Sequence, residues 1–323
     1  MITREKSNYI STTKKRILNY YTYGIWDRGS LESFLDWWDY FKTEEEQFLA
    51  STIVNSINFY SDEDINECIK YLFEEILLNI IKDSLTETNS LLRDKQYIEL
   101  REDALKRIII TPSYPDKPTA SGYLICRKAL DVLALEDHNT CFLKDLPDVI
   151  QGNNLSFEPS AIVMIDDIIG SGEQSMNSWY LTETLEDSLT SSLASMLFGA
   201  NIPSFYGCIC MIESAQVIFN TMKSLGSSNI VHPNLIYCEM FEDKNQFLHP
   251  DSIVFEDHSE RLEMQKLLTD LCLRHNISLT GHAGRSDLIA FYHDVPDFTL
   301  PLIWCRENWT PLLPSGKVRP CSG

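Results

Sequence analysis

Apolar residues recur at helical spacing through the first hundred residues. In "LESFLDWWDYF" (31–41), Leu31, Phe34, Leu35, Trp38 and Phe41 fall on one stripe of a 3.6-residue helix. The next segment, "TEEEQFLASTIVNSINFY", opens on Thr43 and three glutamates. A hydroxyl followed by carboxylates suits a helix start, because the first turn has unpaired N–H groups and the positive end of the helix dipole. "SDEDINECIKYLFEEILLNIIKDSL" repeats that signal, with Ser61 as the capping residue and Asp64 three positions on. Three amphipathic helices with short connections predict a small bundle or cap over residues 1–100.

The pattern changes near residue 107. "RIIIT" (107–111) is a short β-branched run, followed by "PSYPDKPTASG", a loop rich in proline. "YLICRKALDVLAL" then has helical spacing. Further apolar runs of strand length stand at 161–166, 205–212, 235–241 and 288–293, with helix-like segments between them. Strands alternating with helices predict an α/β domain over 101–323, with a mostly parallel sheet flanked by helices on both faces.

Composition narrows the setting. Hydrophobic residues make up 44% of the 323, the proportion of a water-soluble globular chain. No apolar run approaches bilayer length, and "MITREKSNYISTTKKR" has no apolar segment behind its basic residues. A cytoplasmic protein without a membrane partner is therefore expected. The nine cysteines are an odd number, mostly inside apolar segments, and are expected as buried thiols. Cys208 and Cys210 share one face of a strand and find no second pair at metal-binding spacing, so core packing is the expectation there. The net charge of −20 argues against strong direct nucleic-acid binding. It is compatible with a basic protein partner, and it leaves a homo-oligomer open.

The chemistry concentrates in "AIVMIDDIIGSGEQS" (161–175). An apolar strand runs into Asp166 and Asp167, then Ile168 and Ile169, then the turn Gly170-Ser171-Gly172-Glu173-Gln174-Ser175. In an open parallel sheet, ligands bind beyond the carboxyl ends of the strands. The glycines let backbone N–H groups turn inward, Ser171, Gln174 and Ser175 add donors, and a helix N-terminus is expected next, a combination suited to a phosphate monoester. Carboxylates beside it suit a vicinal diol and can hold Mg²⁺ directly or through water. Alternation along a strand predicts that Asp166 and Asp167 point to opposite faces.

This stretch resembles the ribose-phosphate signature of the type I phosphoribosyltransferases. The resemblance implies that Asp166 and Asp167 meet the ribose hydroxyls of 5-phosphoribosyl 1-diphosphate (PRPP), with Mg²⁺, and that residues 170–175 bind its 5′-phosphate. Glu173 departs from the family pattern, which has a small residue there. A carboxylate facing a phosphate repels it, so either Glu173 points away or the loop is altered. The family's diphosphate loop would correspond to 111–122, with Thr119, Ala120, Ser121 and Gly122 opening the next helix, and with Arg127 or Lys117 as cations; Lys128 is expected on the surface.

The segment "SDLIAFYHDVPDFTLPLIWCRENWTPLLP" resembles the C-terminal end of a bacterial phosphoribosyltransferase-like subgroup of conflict and anti-phage systems, retrons included. Its helical N-terminal region with "FYSDEDI" is similar too, so the resemblance spans roughly residues 26–314. It implies a C-terminal hood over the site, with Pro296, Leu300, Pro301 and Trp304, and with Arg285 and His282 near base or diphosphate; against this stand simple packing for the hood and a solvated loop for Arg285. It implies an effector or toxin whose partner is a retron reverse transcriptase with its DNA, or another defence-system protein. The reaction implied is displacement at ribose C1, with a base, a nucleotide, a protein side chain or water as acceptor. The alternative is a non-catalytic ribose-phosphate-binding subunit.

Overall fold

The computed structural model describes residues 2–85, 90–113, 121–150, 158–180, 192–225, 232–307 and 309–315. In chain order the elements are α1 (Ile2–Thr22), α2 (Leu31–Trp38), α3 (Glu44–Asn55), β1 (Asn58–Tyr60), α4 (Asp62–Ile81), α5 (Ser90–Lys106), β2 (Ile108–Pro112), α6 (Ser121–Leu133) and α7 (Leu146–Ile150). There follow β3 (Ala161–Ile169), α8 (Glu173–Tyr180), α9 (Leu193–Ala200), β4 (Ser204–Ile212), α10 (Glu213–Leu225), β5 (Asn234–Phe241), α11 (His258–His275), β6 (Ile289–Phe291) and α12 (Pro301–Trp304). Among the described residues no helix is long and apolar enough to cross a membrane.

The chain divides into two compact units, Ile65–Phe241 and a discontinuous one made of Met1–Asp64 with Glu242–Gly323. These units do not follow the change of pattern near residue 100. Most of α4 and all of α5 group with the larger sheet, while the first sixty-four residues group with the C-terminal segment.

The Ile65–Phe241 unit is built on a four-stranded, all-parallel sheet in the order β2-β3-β4-β5. Every residue of β2 and β4, and all but Ile168 of β3, is buried, as expected of parallel strands covered on both faces. That is why 107–111, 161–166 and 205–212 read as continuous apolar runs rather than alternating ones. Strand β5 is an edge and is more exposed.

In the discontinuous unit, aromatic side chains from both ends of the sequence share one core, including Phe34, Trp37, Trp38, Phe41, Trp304 and Trp309. The indole N–H groups of Trp37 and Trp309 both donate to the Leu302 carbonyl, each at 2.9 Å, and the Tyr21 hydroxyl donates to the Leu312 carbonyl at 2.8 Å. The apolar stripe of α2 therefore differs from the expected one. Trp37 is fully buried, whereas Leu31 and Leu35 remain 41% and 39% exposed. The wide indole with a satisfied N–H fixes the buried face, and the two leucines sit at its margin. The tripeptide strand β1 pairs in parallel with β6, Asn58 against Ile289, in a separate two-stranded sheet. The run at 288–293 thus does not join the main sheet.

Seven cysteines, Cys208 and Cys210 among them, are free thiols. Cys305 departs from the expectation and is disulfide-bonded.

Candidate functional site

Strand β3 carries the acid doublet to the carboxyl end of the sheet. Asp166 is 3% exposed and Asp167 5%. Asp166 is held from three directions. Its Oδ1 accepts from the Ser121 hydroxyl at 3.0 Å and from the Asp167 amide at 2.9 Å, and its Oδ2 accepts from the Ser113 hydroxyl. The Asp167 Oδ1 accepts from the Ile168 amide at 2.9 Å. Burial, and after it the adjacent Asp167 carboxylate, hold the Asp166 proton well above the ordinary carboxylate range; the two serine hydroxyls pull the other way without prevailing.

The two carboxylates therefore act on each other, and strand alternation does not separate them as expected. The ladder gives the reason. β3 pairs with β4 at Asp166↔Cys208 and again at Ile168↔Cys210, without a pair at Asp167. Met164 and Ile169 on β3, and Cys208 and Met211 on β4, pack into the same core cluster. Those odd spacings belong to opposite faces in a regular strand. The alternation is irregular at the doublet, where Asp166 and Asp167 interact.

The turn after β3 adopts the conformation that its glycines permit. Gly172 has φ +78°, a left-handed value that strains any other residue, and its carbonyl accepts the Met176 amide at 2.9 Å, which opens α8. The Ser171 hydroxyl accepts the Glu173 amide at 3.3 Å. Glu173 is exposed in the first turn of α8, where a carboxylate suits the helix dipole, and Ser175 is buried. The Gln174 side chain lies outside the described set.

On the other side of the doublet, Ser121 and Gly122 open α6. A Cβ placed on Gly122 would stand 3.1 Å from both the Ile165 carbonyl oxygen and the Ser113 amide nitrogen. Glycine lets the helix press closely on the ends of β2 and β3, where a side chain would push the backbone away by a few tenths of an ångström. Thr119, Ala120 and Lys117 lie outside the described residues. Arg127 is exposed on α6, and Lys128 donates to the Asn66 side chain at 3.3 Å.

Three residues that the sequence did not single out complete the surroundings. Ser113 is one; the last pair between β2 and β3, Pro112↔Ile165, puts Ser113 level with Asp166, so the strand register was the signal for it. Cys126 and Tyr206 are the others, and Cys208, already expected as a packed thiol, joins them. Burial, and after it the nearby Asp166, pushes both thiols well above their ordinary range, so neither is an activated nucleophile. Tyr206 is fully buried and pushed up by burial and by Asp166, with the Ser175 and Ser113 hydroxyls opposing. Its hydroxyl makes no hydrogen bond of acceptable geometry.

The residues expected as a hood belong to the discontinuous unit and are engaged inside it. Arg285 grips Asp287 with Nε at 2.6 Å and a second nitrogen at 3.1 Å, and reaches Asp243 at 2.8 Å. It is a half-buried ion-pair residue, engaged with Asp287 and Asp243. The Trp304 indole donates to the Thr299 carbonyl at 2.8 Å, and Pro301 opens α12. His282 lies in a short helical turn, and His293 stacks on Phe291.

A protein-family model, PRTase-CE, matches residues 34–315, most of the chain. The chain belongs to the PRTase-CE family. This is a phosphoribosyltransferase-type family, and the parallel sheet with an acid doublet at its carboxyl edge has the architecture that this membership implies. Comparisons with curated proteins and with solved structures return no match. The PRTase-CE match runs from Phe34 in α2 to Ser315, so it takes in the whole Ile65–Phe241 unit and most of the discontinuous one, with α1 outside it.

The donor set fits Mg²⁺ in one way. Among the described residues no group of three or more His, Cys, Asp or Glu side chains is placed to hold a metal ion. One or two carboxylates with ligand phosphates and water are, however, the usual company of Mg²⁺. A carboxylate of the doublet would hold it with the ligand, and it would neutralise charge on a diphosphate leaving group.

Proposed function

We propose that this PRTase-CE protein binds PRPP or a related ribose 5-phosphate with Mg²⁺, and displaces the group at ribose C1. The carrying observation is the buried doublet at the end of β3, running directly into the left-handed Gly172 turn and the start of α8. Carboxylates at that edge suit ribose hydroxyls, and the turn with the N-terminus of α8 suits the 5′-phosphate. The protein's part in the reaction is to position the reactants and to stabilise the developing charge electrostatically. In keeping with the resemblance of its C-terminal segment, we assign it as an effector of a bacterial anti-phage system, held by a retron reverse transcriptase with its DNA or by another defence-system protein.

A second reading is a non-catalytic ribose-phosphate-binding subunit. Two observations favour it. The Asp166 oxygens are already occupied by Ser113, Ser121 and the Asp167 amide, and Glu173 stands at the first position of α8.

Titrating PRPP with Mg²⁺ into the purified protein, with and without added bases, nucleotides and candidate protein acceptors, and following diphosphate release, separates the two. Release supports the transferase; binding without release supports the second reading. Replacing both Asp166 and Asp167 by Asn is expected to abolish PRPP binding with the circular dichroism spectrum unchanged. Unchanged affinity in that double variant would remove the doublet from the ligand site. Co-purification with a reverse transcriptase encoded beside it tests the effector assignment.

A further inference from the structure

The two acids of the doublet have different surroundings, and those of Asp166 point to a specific task. Ser113 is the residue that follows β2, and Ser121 is the first residue of α6. Both hydroxyls end on the Asp166 carboxylate, one on each oxygen. Two further observations show that the ends of β2 and α6 are gathered at this point. The Ser113 amide donates to the Ile165 carbonyl at 3.2 Å, and a Cβ on Gly122 would stand a tight 3.1 Å from the Ile165 carbonyl oxygen and the Ser113 nitrogen.

We propose that Asp166 is a positioning residue, a latch that ties the end of β2 and the start of α6 to the end of β3 through Ser113 and Ser121. Its work is to hold the N-terminus of α6 beside the doublet, and the ligand-facing role falls to Asp167 and the 170–175 turn. The assignment of ligand roles rests on the reading given under Proposed function; the latch itself does not.

The latch needs an acceptor for Ser121 and for the Asp167 amide, and a group that can bond Ser113. It does not need a charge. Asparagine meets these requirements, because its carbonyl oxygen accepts and its NH₂ donates to the Ser113 oxygen. Alanine meets none of them and takes this acceptor from the buried Ser113 hydroxyl and the half-buried Ser121 hydroxyl. A carboxylate that binds ribose or Mg²⁺ directly has the opposite profile, since the amide is then nearly as damaging as the alanine.

The test compares Asp166→Asn, Asp166→Ala and the pair Ser113→Ala with Ser121→Ala in the full-length protein. Amide hydrogen exchange at Ser113 and in the first turn of α6 is measured without ligand, and PRPP affinity with Mg²⁺ by calorimetry. Asp166→Ala and the serine pair are each expected to speed exchange there about tenfold or more, and combining them should add little, because they remove the same contacts. Asp166→Asn is expected to return exchange to within about threefold of the native protein, and affinity should follow the same order. The serine pair carries the test if Asp166→Ala does not fold. Exchange unmoved by the serine pair, with affinity lost equally in Asp166→Asn and Asp166→Ala, overturns the latch. A native protein that binds no PRPP sinks the ligand reading alone, and the exchange pattern still decides the latch.

Discussion

Two buried hydroxyls beside the acid doublet show how single polar groups are used, and how one is not. Ser113 ends on Asp166, but the Tyr206 hydroxyl, on the neighbouring strand and fully buried, has no partner of acceptable geometry. Ser113 and Ser175 are close enough to oppose the rise in its proton affinity without giving it a proper hydrogen bond. A buried donor left unpaired costs about 1–3 kcal/mol. Tyr206→Phe removes the oxygen and keeps the ring against Phe219, so it is expected to raise stability by about 1 kcal/mol in urea unfolding. A loss of that size instead would mean that the hydroxyl is satisfied by a group that the protein contacts do not show. Gly172 makes a second case. Its φ of +78° puts any side chain in a strained conformation, so Gly172→Ala is expected to cost about 1 kcal/mol and to weaken phosphate binding, read by thermal melting with and without PRPP.

At the scale of elements, helix starts were the most legible feature of the chain, because their chemistry is local. Thr43 accepts the Glu46 amide at 3.1 Å while Glu46 accepts the amides of Lys42 and Thr43, and Ser61 and Asp64 exchange the same pair of bonds. The buried strands were legible for a similar reason, since covering on both faces demands continuous apolar runs. What depended on distant partners was not. The three-residue β1 stands directly after a helix, and its partner β6 lies more than two hundred positions away. Arg285 was open to a ligand role on sequence grounds; Asp287, two residues on and on the same side of an extended chain, was a local hint of its partner, but Asp243 was not. The Glu46 cap yields a pH prediction. Burial alone would raise its carboxyl, but Arg274 and the amides of Lys42 and Thr43 outweigh burial and hold it below its ordinary value. Its stabilisation is therefore fully present above the unfolded carboxyl value of about 4.3 and is lost as pH falls through the lower folded value. Glu46→Gln is expected to cost about 1–2 kcal/mol at pH 7, with Arg274 half exposed and its share reduced by solvent. In urea titrations that difference should shrink as pH drops below about 4. A gap between Glu46→Gln and the native protein that stays constant with pH would show that the charge contributes nothing.

The molecule as a whole was the least legible, because its division into units is set by contacts that join the two ends of the sequence. The change from helical to strand-like pattern near residue 100 is real, since β2 begins at Ile108, yet it marks a change of element and not an edge of a compact unit. Trp37 shows why. Its ring lies in a core made by α1, α2 and α3 together with residues from 247 to 313, and its N–H ends on Leu302. Neither half of that core can bury its aromatic face without the other, so residues 2–64 and 242–315 should lose structure together. Trp37→Ala removes a fully buried indole and is expected to cost about 3–5 kcal/mol. Native-state hydrogen exchange locates where that loss is felt, because amides in one cooperative unit open together. Faster exchange is expected in α1, α3 and α11 alike, with the later turns of α4 and all of α5 not following them. Exchange that instead rises across residues 2–100 and spares α11 would restore the boundary near residue 100 and would make the N-terminal helices a unit of their own.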